Sequence, residues 1–513
     1  MLVKITLLLL FFGSMIAVGI YSRKHATNVN DFVLGGRSVG PWLSAFAYGT
    51  SYFSAVVFVG YAGQFGWKYG VATTWIGLGN AFIGSLLAWV LMGRRTRVMT
   101  RHLDAKTMPD FFGKRFESKT LKIVASFIVF IFLIPYTASV YNGLSSLFNM
   151  AFSIDYKYCV IGMAILTGVY VILGGYMATA INDFIQGLIM LIGIVFIIVA
   201  VLNGQGGFME AIRKLSEIPS DVPATMGQHG AFASFFGTDP ANLVGVIILT
   251  SLGTLGLPQM VQKFYAIKSE KAVKTGTIVS TFFAIIIAGG CYFLGGFGRL
   301  FDNAALYKED GSVMYDRIIP SMLSTLPDVL IGVVIVLVLS ASMSTLSSLV
   351  LTSSSTFTLD FLKDSVFKTM TEKRQLLIMR LLIVFFIGIS VVLALNPPMF
   401  IAQLMGISWG ALAGAFLAPF LYGLFWKGVT KAAVWTSFIF GVGITVSNIF
   451  FKFIASPINC GAVAMVGGLI IVPLVSMITP KIAKEDLDKT FACYDVEVHV
   501  KKRIALQEEE ENN

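Results

Sequence analysis

Long apolar stretches recur along almost the whole chain, and they constrain the fold more than any other feature. A helix that crosses a bilayer needs about 20 mostly apolar residues. Scanning for that length gives about thirteen candidate spans, approximately 2–22, 41–64, 71–93, 119–148, 157–175, 180–203, 241–265, 273–298, 327–361, 375–395, 399–426, 431–452 and 458–479. Only 13% of the 513 residues are charged, against roughly 25% in a soluble domain. The sequence therefore predicts an all-α polytopic membrane protein.

Lysine and arginine are concentrated in alternate loops, which predicts the orientation in the membrane. The first basic loop contains Arg94, Arg95, Arg97, Arg101, Lys106, Lys114 and Arg115. The later basic segments contain Lys263, Lys268, Lys271 and Lys274, then Lys363, Lys368, Lys373 and Arg374, and finally the tail 481–513. Because basic loops stay in the cytoplasm, the first span is expected to be retained with its N-terminus outside. Arg23, Lys24 and His25 follow that span directly. The tail, which ends in QEEEENN, is expected to be cytoplasmic and solvated.

Two of the predicted spans contain glycine and hydroxyl residues at mid-depth. The second span contains AYGTSYFS (47–54), and the seventh, five spans later, contains TSLGTLGLP (250–258). Broken helices at matching positions in two halves indicate a transporter built from inverted repeats, with its site near the membrane midplane. Close packing is the alternative, because small residues are common where helices touch in membranes.

A run of hydroxyl residues, SASMSTLSSLVLTSSSTF (340–357), lies inside the ninth predicted span. Ser340, Ser344, Ser347 and Ser348 are spaced so that they share one helix face, with Thr345 beside them. Hydroxyls and free carbonyls suit a monovalent cation that must also leave, and the interrupted second span could supply the carbonyls. From this stretch alone, bonds to carbonyls of the same helix, or simple packing, are the favoured explanation.

One carboxylate, Asp183, stands almost alone among apolar residues in GGYMATAINDFIQG (174–187). Acids inside membrane spans are candidates for a function because they are costly to insert. Near the start of the sixth predicted span, Asp183 could instead cap the helix and meet the positive end of its dipole. Both roles remain open at this point.

Several stretches in a fixed order resemble the sodium:solute symporter family, most closely its bacterial sodium/proline symporter branch. They are DFVLGGRSVGPW (31–42), MPDFFGKRF (108–116), GGYMATAINDFIQG (174–187), SMSTLSS (342–348) and SWGALAGAFLAP (408–419). The resemblance implies a LeuT-type fold in a transporter domain over 1–480. In that fold two inverted five-helix repeats, about 41–203 and 241–426, follow one extra helix and precede two more.

The same resemblance implies sodium as the coupling ion and assigns residues to it. The main sodium site would be formed by the carbonyls of Thr50, Phe53 and Ala341 and the hydroxyls of Ser344 and Thr345. A possible second sodium site would be formed by Asp183, Ser347 and Ser348, with Gln186 nearby. Tyr52 stands where proline symporters carry an aspartate.

The solute pocket that the resemblance implies is lined by Tyr48, Ser54, Tyr136, Thr250, Thr254, Pro258 and Trp409. Thr250 and Thr254 replace an aromatic pair of the proline branch, and Val57 stands where sugar symporters place a polar contact. A small amino acid such as proline, or a short monocarboxylate, fits this lining better than a sugar. Free amides at the break around Gly253 and Gly256 could receive its carboxylate.

The expected function is therefore sodium-coupled symport of a small solute by alternating access, without enzymatic activity. A proton-coupled carrier with Asp183 as the proton site is the first alternative. A membrane-embedded enzyme or sensor is more remote, because His25, His102, His229 and His499 lie outside the spans. The sequence contains no GxxxxGK[ST] loop, so ATP binding has no support. The net charge of +10 is explained by cytoplasmic loops rather than by a nucleic-acid partner.

Overall fold

The computed structural model describes residues 2–23, 26–152, 154–367 and 369–495, and these ranges are almost entirely helical. The predictions that concern Lys24, His25, Lys368, His499 and the QEEEENN end lie outside the described residues. Within them, β structure is limited to two isolated bridges, Val39 with Ile267 and Tyr307 with Val313. The all-α class expected from the apolar stretches is therefore observed.

Ten helices of the described part are long and apolar enough to cross a membrane. They are Ile5–Ser22, Val56–His102, Lys119–Asn149, Tyr156–Gly204, Glu270–Gly295, Asp328–Val366, Glu372–Leu395, Ile401–Phe425, Lys431–Phe451 and Pro457–Ile478. A bent pair, Pro240–Gly256 and Pro258–Ala266, makes an eleventh. Two of the ten, at 47 and 49 residues, are longer than one crossing needs and contain a glycine with positive φ, Gly70 and Gly175 respectively. The count of thirteen spans stays a prediction.

Short helices lie in the segments between the long ones. They are Val29–Leu34, Met108–Arg115, Phe208–Glu217, Ile318–Ser324 and Lys484–Phe491. The last corrects the expectation of a wholly solvated tail, because Leu487 and Phe491 lie one turn apart and are both buried. Phe491 packs under the Arg115 guanidinium at 4.8 Å, so the start of the tail is held against the Met108–Arg115 helix.

The first broken helix consists of Pro41–Tyr52 and the residues that follow from Val56. Phe53 ends the first half because its backbone is extended, with φ −95° and ψ 125°. The Ser54 carbonyl accepts the N–H groups of Val57 and Phe58 and so starts the second half. Carbonyls in the last turn of the first half are thereby released from the regular helical pattern, as predicted for this stretch.

The second broken helix consists of Pro240–Gly256 and Pro258–Ala266, which are bent by 43° at Leu257. Pro258 favours this break because it has no N–H and its ring fixes φ at the start of a helix. Gly253 lies where a Cβ would come within 2.5 Å of the Trp409 ring. Here the interruption and the close packing occur together, so the two explanations of the glycines are not exclusive.

The hydroxyl helix, Asp328–Thr356, lies in the interior of the protein, and all of residues 337–356 are buried. It packs against the kinked helix, Tyr156–Gly204, which bends at Gly175 (φ 55°, ψ −147°). It also contacts the first half of the first broken helix. The serine and threonine side chains are therefore turned toward neighbouring helices rather than toward lipid.

Candidate functional site

Six oxygen atoms from five residues lie together where the hydroxyl helix crosses the break in the first broken helix. Thr345 Oγ1 lies 3.3 Å from the Thr50 carbonyl, 3.1 Å from the Phe53 carbonyl and 3.1 Å from the Ala341 carbonyl. The Ser344 hydroxyl lies 2.7 Å from the Thr50 hydroxyl, and all five residues are buried. The structure thus brings together every residue assigned to the main sodium site.

The cluster has fewer donor protons than oxygen acceptors, which is typical of a cation site. The Thr345 hydroxyl has one proton and faces three carbonyl oxygens, so it can donate to only one of them. The Ser344 hydroxyl donates to Thr50 Oγ1, which in turn donates to the Phe46 carbonyl at 2.8 Å. Three hydroxyl protons are therefore available for a larger number of oxygen lone pairs. Neutral oxygens in excess of protons are the ligands that a hard monovalent cation prefers.

The residues of the possible second sodium site also lie near each other, but a lysine is among them. Asp183 is fully buried, and neither of its oxygens accepts a hydrogen bond of ordinary geometry from the described residues, although Ser344 and Lys263 lie beside them. The Lys263 ammonium lies 3.7 Å from Asp183 Oδ2 and 3.0 Å from the Ser348 hydroxyl. Ser347 donates to the Ser344 carbonyl at 2.8 Å. Whether sodium binds at this position stays a prediction.

Two expectations about these charged residues are wrong. Lys263 is not a loop lysine, because it lies in the second half of the second broken helix and is only 2% exposed. Asp183 does not cap a helix, because the helix already runs from the bend at Gly175, two turns earlier. The free amides of that first turn are out of reach of its carboxylate. Gln186, one turn further on, donates to the Met15 sulfur at 3.4 Å.

The residues predicted to line the solute pocket divide into two layers. In the first layer the Trp409 ring lies 5.7 Å from the Tyr52 ring and 5.9 Å from the Tyr136 ring. The Tyr52 hydroxyl donates to the Thr250 carbonyl at 3.3 Å. The Tyr136 hydroxyl and the Trp409 indole N–H are buried without a hydrogen bond of ordinary geometry to the described residues. The first layer therefore retains free donors.

The second layer, one helical turn away along both broken helices, has its hydrogen bonds satisfied internally. The Tyr48 hydroxyl donates to the Gly84 carbonyl at 2.7 Å, and the Thr254 hydroxyl lies 2.9 Å from the same carbonyl. The Tyr48 ring packs against Trp89 and Phe264. Tyr48 and Thr254 thus make the second layer closely packed. Pro258 and Ser54 lie at the two breaks themselves.

The position of the free amides at the second break was predicted wrongly. Gly253 and Gly256 belong to the last turn of the first half, where carbonyls rather than N–H groups lack helical partners. The second half begins at Pro258, which has no N–H, so its first available amide belongs to Gln259. A carboxylate would therefore need side-chain donors in addition to this half-helix end.

Three residues beside the first layer were missed by the sequence reasoning. The hydroxyls of Tyr61 and Tyr292 and the amide nitrogen of Asn80 are buried without a hydrogen bond of ordinary geometry to the described residues, and Tyr292 faces Asn80. Tyr52 lies within electrostatic range of Tyr61, Tyr136 and Tyr292. No spacing signal connects Tyr292 to this place, because it comes from a helix far along the chain.

A charged cluster joins three segments on the side of the protein that the basic loops assign to the cytoplasm. The Lys122 ammonium lies 2.7 Å from Asp110, 2.7 Å from Asp364 and 3.5 Å from Asp360. Burial acts to raise the pKa of Asp110, but the ammonium groups of Lys122 and Lys114 more than offset it and hold that pKa below its usual value. Asp110 therefore stays ionised and keeps the cluster together.

Comparisons with known proteins agree with this architecture. Residues 32–441 match the model of the sodium:solute symporter family. The sodium/proline symporter of Staphylococcus aureus strain JH9 is 30% identical over 491 residues, which is 93% of this chain and 92% of that protein. Among solved structures, a Na⁺-coupled sialic acid symporter in a substrate-bound outward-open state has a TM-score of 0.72 at 17% identity, covering 94% of this chain and 99% of that one.

A second solved structure, Mhp1, a transporter of the nucleobase-cation-symport-1 family, has a TM-score of 0.52 at 13% identity. It covers 90% of this chain and 97% of that one. At these identities the two structures show the fold alone, which is the LeuT-type fold expected from the sequence. With the family match and the apolar helices, they make this a multi-pass membrane protein that uses sodium in solute transport. The chain belongs to the sodium:solute symporter family.

Proposed function

We propose that this protein imports a small solute that carries a carboxylate, an amino acid such as proline or a short monocarboxylate, together with sodium. The observation that carries the proposal is the cluster of oxygens around Thr345, which lies within 3.3 Å of three carbonyls. Sodium bound there would join the first broken helix to the hydroxyl helix. A cation that holds two moving parts together can couple its own binding to their rearrangement.

The chemistry of the first layer favours a carboxylate. The groups in and beside this layer that lack a hydrogen bond of ordinary geometry can all donate: the hydroxyls of Tyr61, Tyr136 and Tyr292, the indole N–H of Trp409 and the amide of Asn80. A buried donor without a partner is costly, and an anionic acceptor would relieve several at once. The curated relatives at 30% identity are named sodium/proline symporters, which makes proline the first solute to test.

Openings in the structure are consistent with alternating access. A cavity of about 470 Å³ is lined by residues that include Gln64, Val246 and Arg299, and Val246 lies one helical turn from Thr250. On the opposite side, Val39 donates to the Ala266 carbonyl at 3.2 Å and Lys268 donates to the Val39 carbonyl at 3.0 Å. These two bonds close the ends of the two broken helices against each other. The cavity would be the outer entrance, and the closed side the inner one.

The same proposal includes the orientation of the protein in the membrane and the division of the chain into a transporter domain and a tail. The protein would lie in the plasma or inner membrane with its N-terminus outside and its C-terminus in the cytoplasm, since the basic loops gather on one side. The transporter domain would cover 1–480, with repeats at about 41–203 and 241–426, and the tail 481–513. A membrane potential directed inward contributes about 2.3 kcal/mol for each charge moved per 100 mV. This energy corresponds to roughly a fifty-fold concentration gradient of the solute.

Uptake of proline into proteoliposomes tests the proposal. We expect uptake that requires an inward sodium gradient and that stops when choline replaces sodium at fixed pH. A screen of small amino acids and monocarboxylates, read as thermal stabilisation in the presence of sodium, would identify another solute if proline fails. Uptake of any of these solutes at the same rate in choline would refute sodium coupling, and a pH dependence in choline would favour the proton-coupled alternative.

A further inference from the structure

Lys263 is the one basic side chain that the described structure buries beside the hydroxyl face. Its ammonium lies 3.0 Å from the Ser348 hydroxyl, 3.7 Å from Asp183 Oδ2 and 5.1 Å from the centre of the Tyr176 ring. Lys263 comes from the second broken helix, whereas Asp183 and Tyr176 belong to the kinked helix and Ser348 to the hydroxyl helix. A single ammonium therefore connects three separate helices.

The charges at this position balance without a second metal ion. Within the described residues, Lys263 is the only charged side chain within 4.0 Å of the Asp183 carboxylate. A buried charge is strongly disfavoured unless it is paired, so one carboxylate can neutralise one cation. With Lys263 in place, a sodium ion at the same carboxylate would leave a net positive charge in a site shielded from water.

The hydroxyls expected to bind a second ion are also engaged. The Ser348 oxygen accepts from Lys263, and the Ser348 hydroxyl is hydrogen-bonded to Ser51 Oγ at 2.8 Å. The Ser347 hydroxyl donates to the Ser344 carbonyl at 2.8 Å. A sodium ion next to Ser348 would have to displace the ammonium and would meet it at short range, where like charges repel strongly in a low dielectric.

We propose that the Lys263 ammonium occupies the second cation position, next to Asp183 and Ser348, so that the protein binds one sodium ion and not two. The inference rests on the proposed sodium coupling at the main site around Thr345. Because this cation is covalently attached to the second broken helix, it cannot dissociate during the cycle. It holds the kinked helix and the hydroxyl helix to that moving element while the one free ion binds and leaves.

Counting bound sodium on the purified full-length protein tests this inference without knowledge of the solute. Equilibrium dialysis against radioactive sodium, with choline to keep ionic strength constant, gives ions per chain. We expect one ion for the unaltered protein and two for Lys263→Met, which frees Asp183. Lys263→Arg, which keeps the charge, and the exposed control Lys274→Met should each bind one. The double variant Lys263→Met with Asp183→Asn should return to one.

The outcomes separate this inference from the proposed function. Two ions on the unaltered protein would overturn the inference and leave sodium coupling intact. A single ion on a folded Lys263→Met protein would also overturn it. If the unaltered protein bound none while Lys263→Met bound one, the main site would be wrong and the lysine assignment would stand. If Lys263→Met does not fold, the count on the unaltered protein and on Lys263→Gln decides.

Discussion

Replacing Thr345 by valine removes one oxygen from the main cluster while preserving the shape of the side chain. The Thr345 hydroxyl lies 3.1 Å from both the Phe53 and Ala341 carbonyls and can donate to one of them, so its loss leaves one buried carbonyl with a partner fewer and removes one ligand oxygen. Loss of one partner in a buried polar cluster costs about 1–3 kcal/mol. At about 1.4 kcal/mol per tenfold, the expected sodium affinity falls roughly 5- to 150-fold.

Thermal unfolding at increasing sodium, with choline making up the total salt, measures this loss. A ligand at a hundredfold excess over its Kd stabilises the folded state by about 2.7 kcal/mol. At the same sodium concentration a thirtyfold weaker site would give about 0.9 kcal/mol. The sodium concentration at which the melting temperature begins to rise should therefore be higher in the variant.

Thr358→Val is a matched control on the continuation of the same helix. Thr358 is buried, and its hydroxyl donates to the Ser354 carbonyl one turn earlier, as Thr345 can to Ala341. The control should lower stability slightly at every sodium concentration and leave the onset of the sodium-dependent rise unchanged. If the rise began at the same sodium concentration in Thr345→Val as in the unaltered protein, or if both variants moved it equally, the assignment of Thr345 as a sodium ligand would be refuted.

Three further changes probe the solute pocket and the outer face. Gly253→Ala places a Cβ 2.5 Å from the Trp409 ring, so we expect about 1–3 kcal/mol of destabilisation in thermal unfolding and weaker solute binding. Gly388→Ala, which meets nothing within 4 Å, should show neither effect. Tyr136→Phe removes a buried hydroxyl without a partner, so isothermal titration should show roughly fivefold weaker solute binding while the melting temperature stays level or rises. Burial raises the pKa of Asp316 to about 6. Protonation of its carboxyl therefore adds to the free energy of unfolding. This contribution is complete below about pH 4 and is lost as the pH rises through about 6. Asp316→Asn should accordingly raise the melting temperature at pH 8 and change it little near pH 4, and an equal effect at both would contradict this.

Part of the site could be predicted because the signals are local. The spacing of Ser344, Ser347 and Ser348 places them on one helix face, and Pro258 favours a break wherever the chain folds. The pairing of Thr345 with Thr50 and Phe53 came from the resemblance to a family rather than from spacing, since nearly 300 residues separate them. The donors of Tyr61 and Tyr292 gave no signal, because each is an ordinary aromatic residue in an apolar stretch.

The sequence alone determined that the chain is helical, that it crosses a membrane repeatedly and where two of its helices break. These properties depend on hydropathy over about 20 residues and on the backbone limits of proline and glycine, which act locally. Tertiary structure decided which polar groups share a buried space. Lys263 shows the difference: its position along the chain suggested a cytoplasmic loop, but helix packing places its ammonium against Asp183 and Ser348. The cost of a buried charge depends on partners from other helices, and only the packed structure shows them.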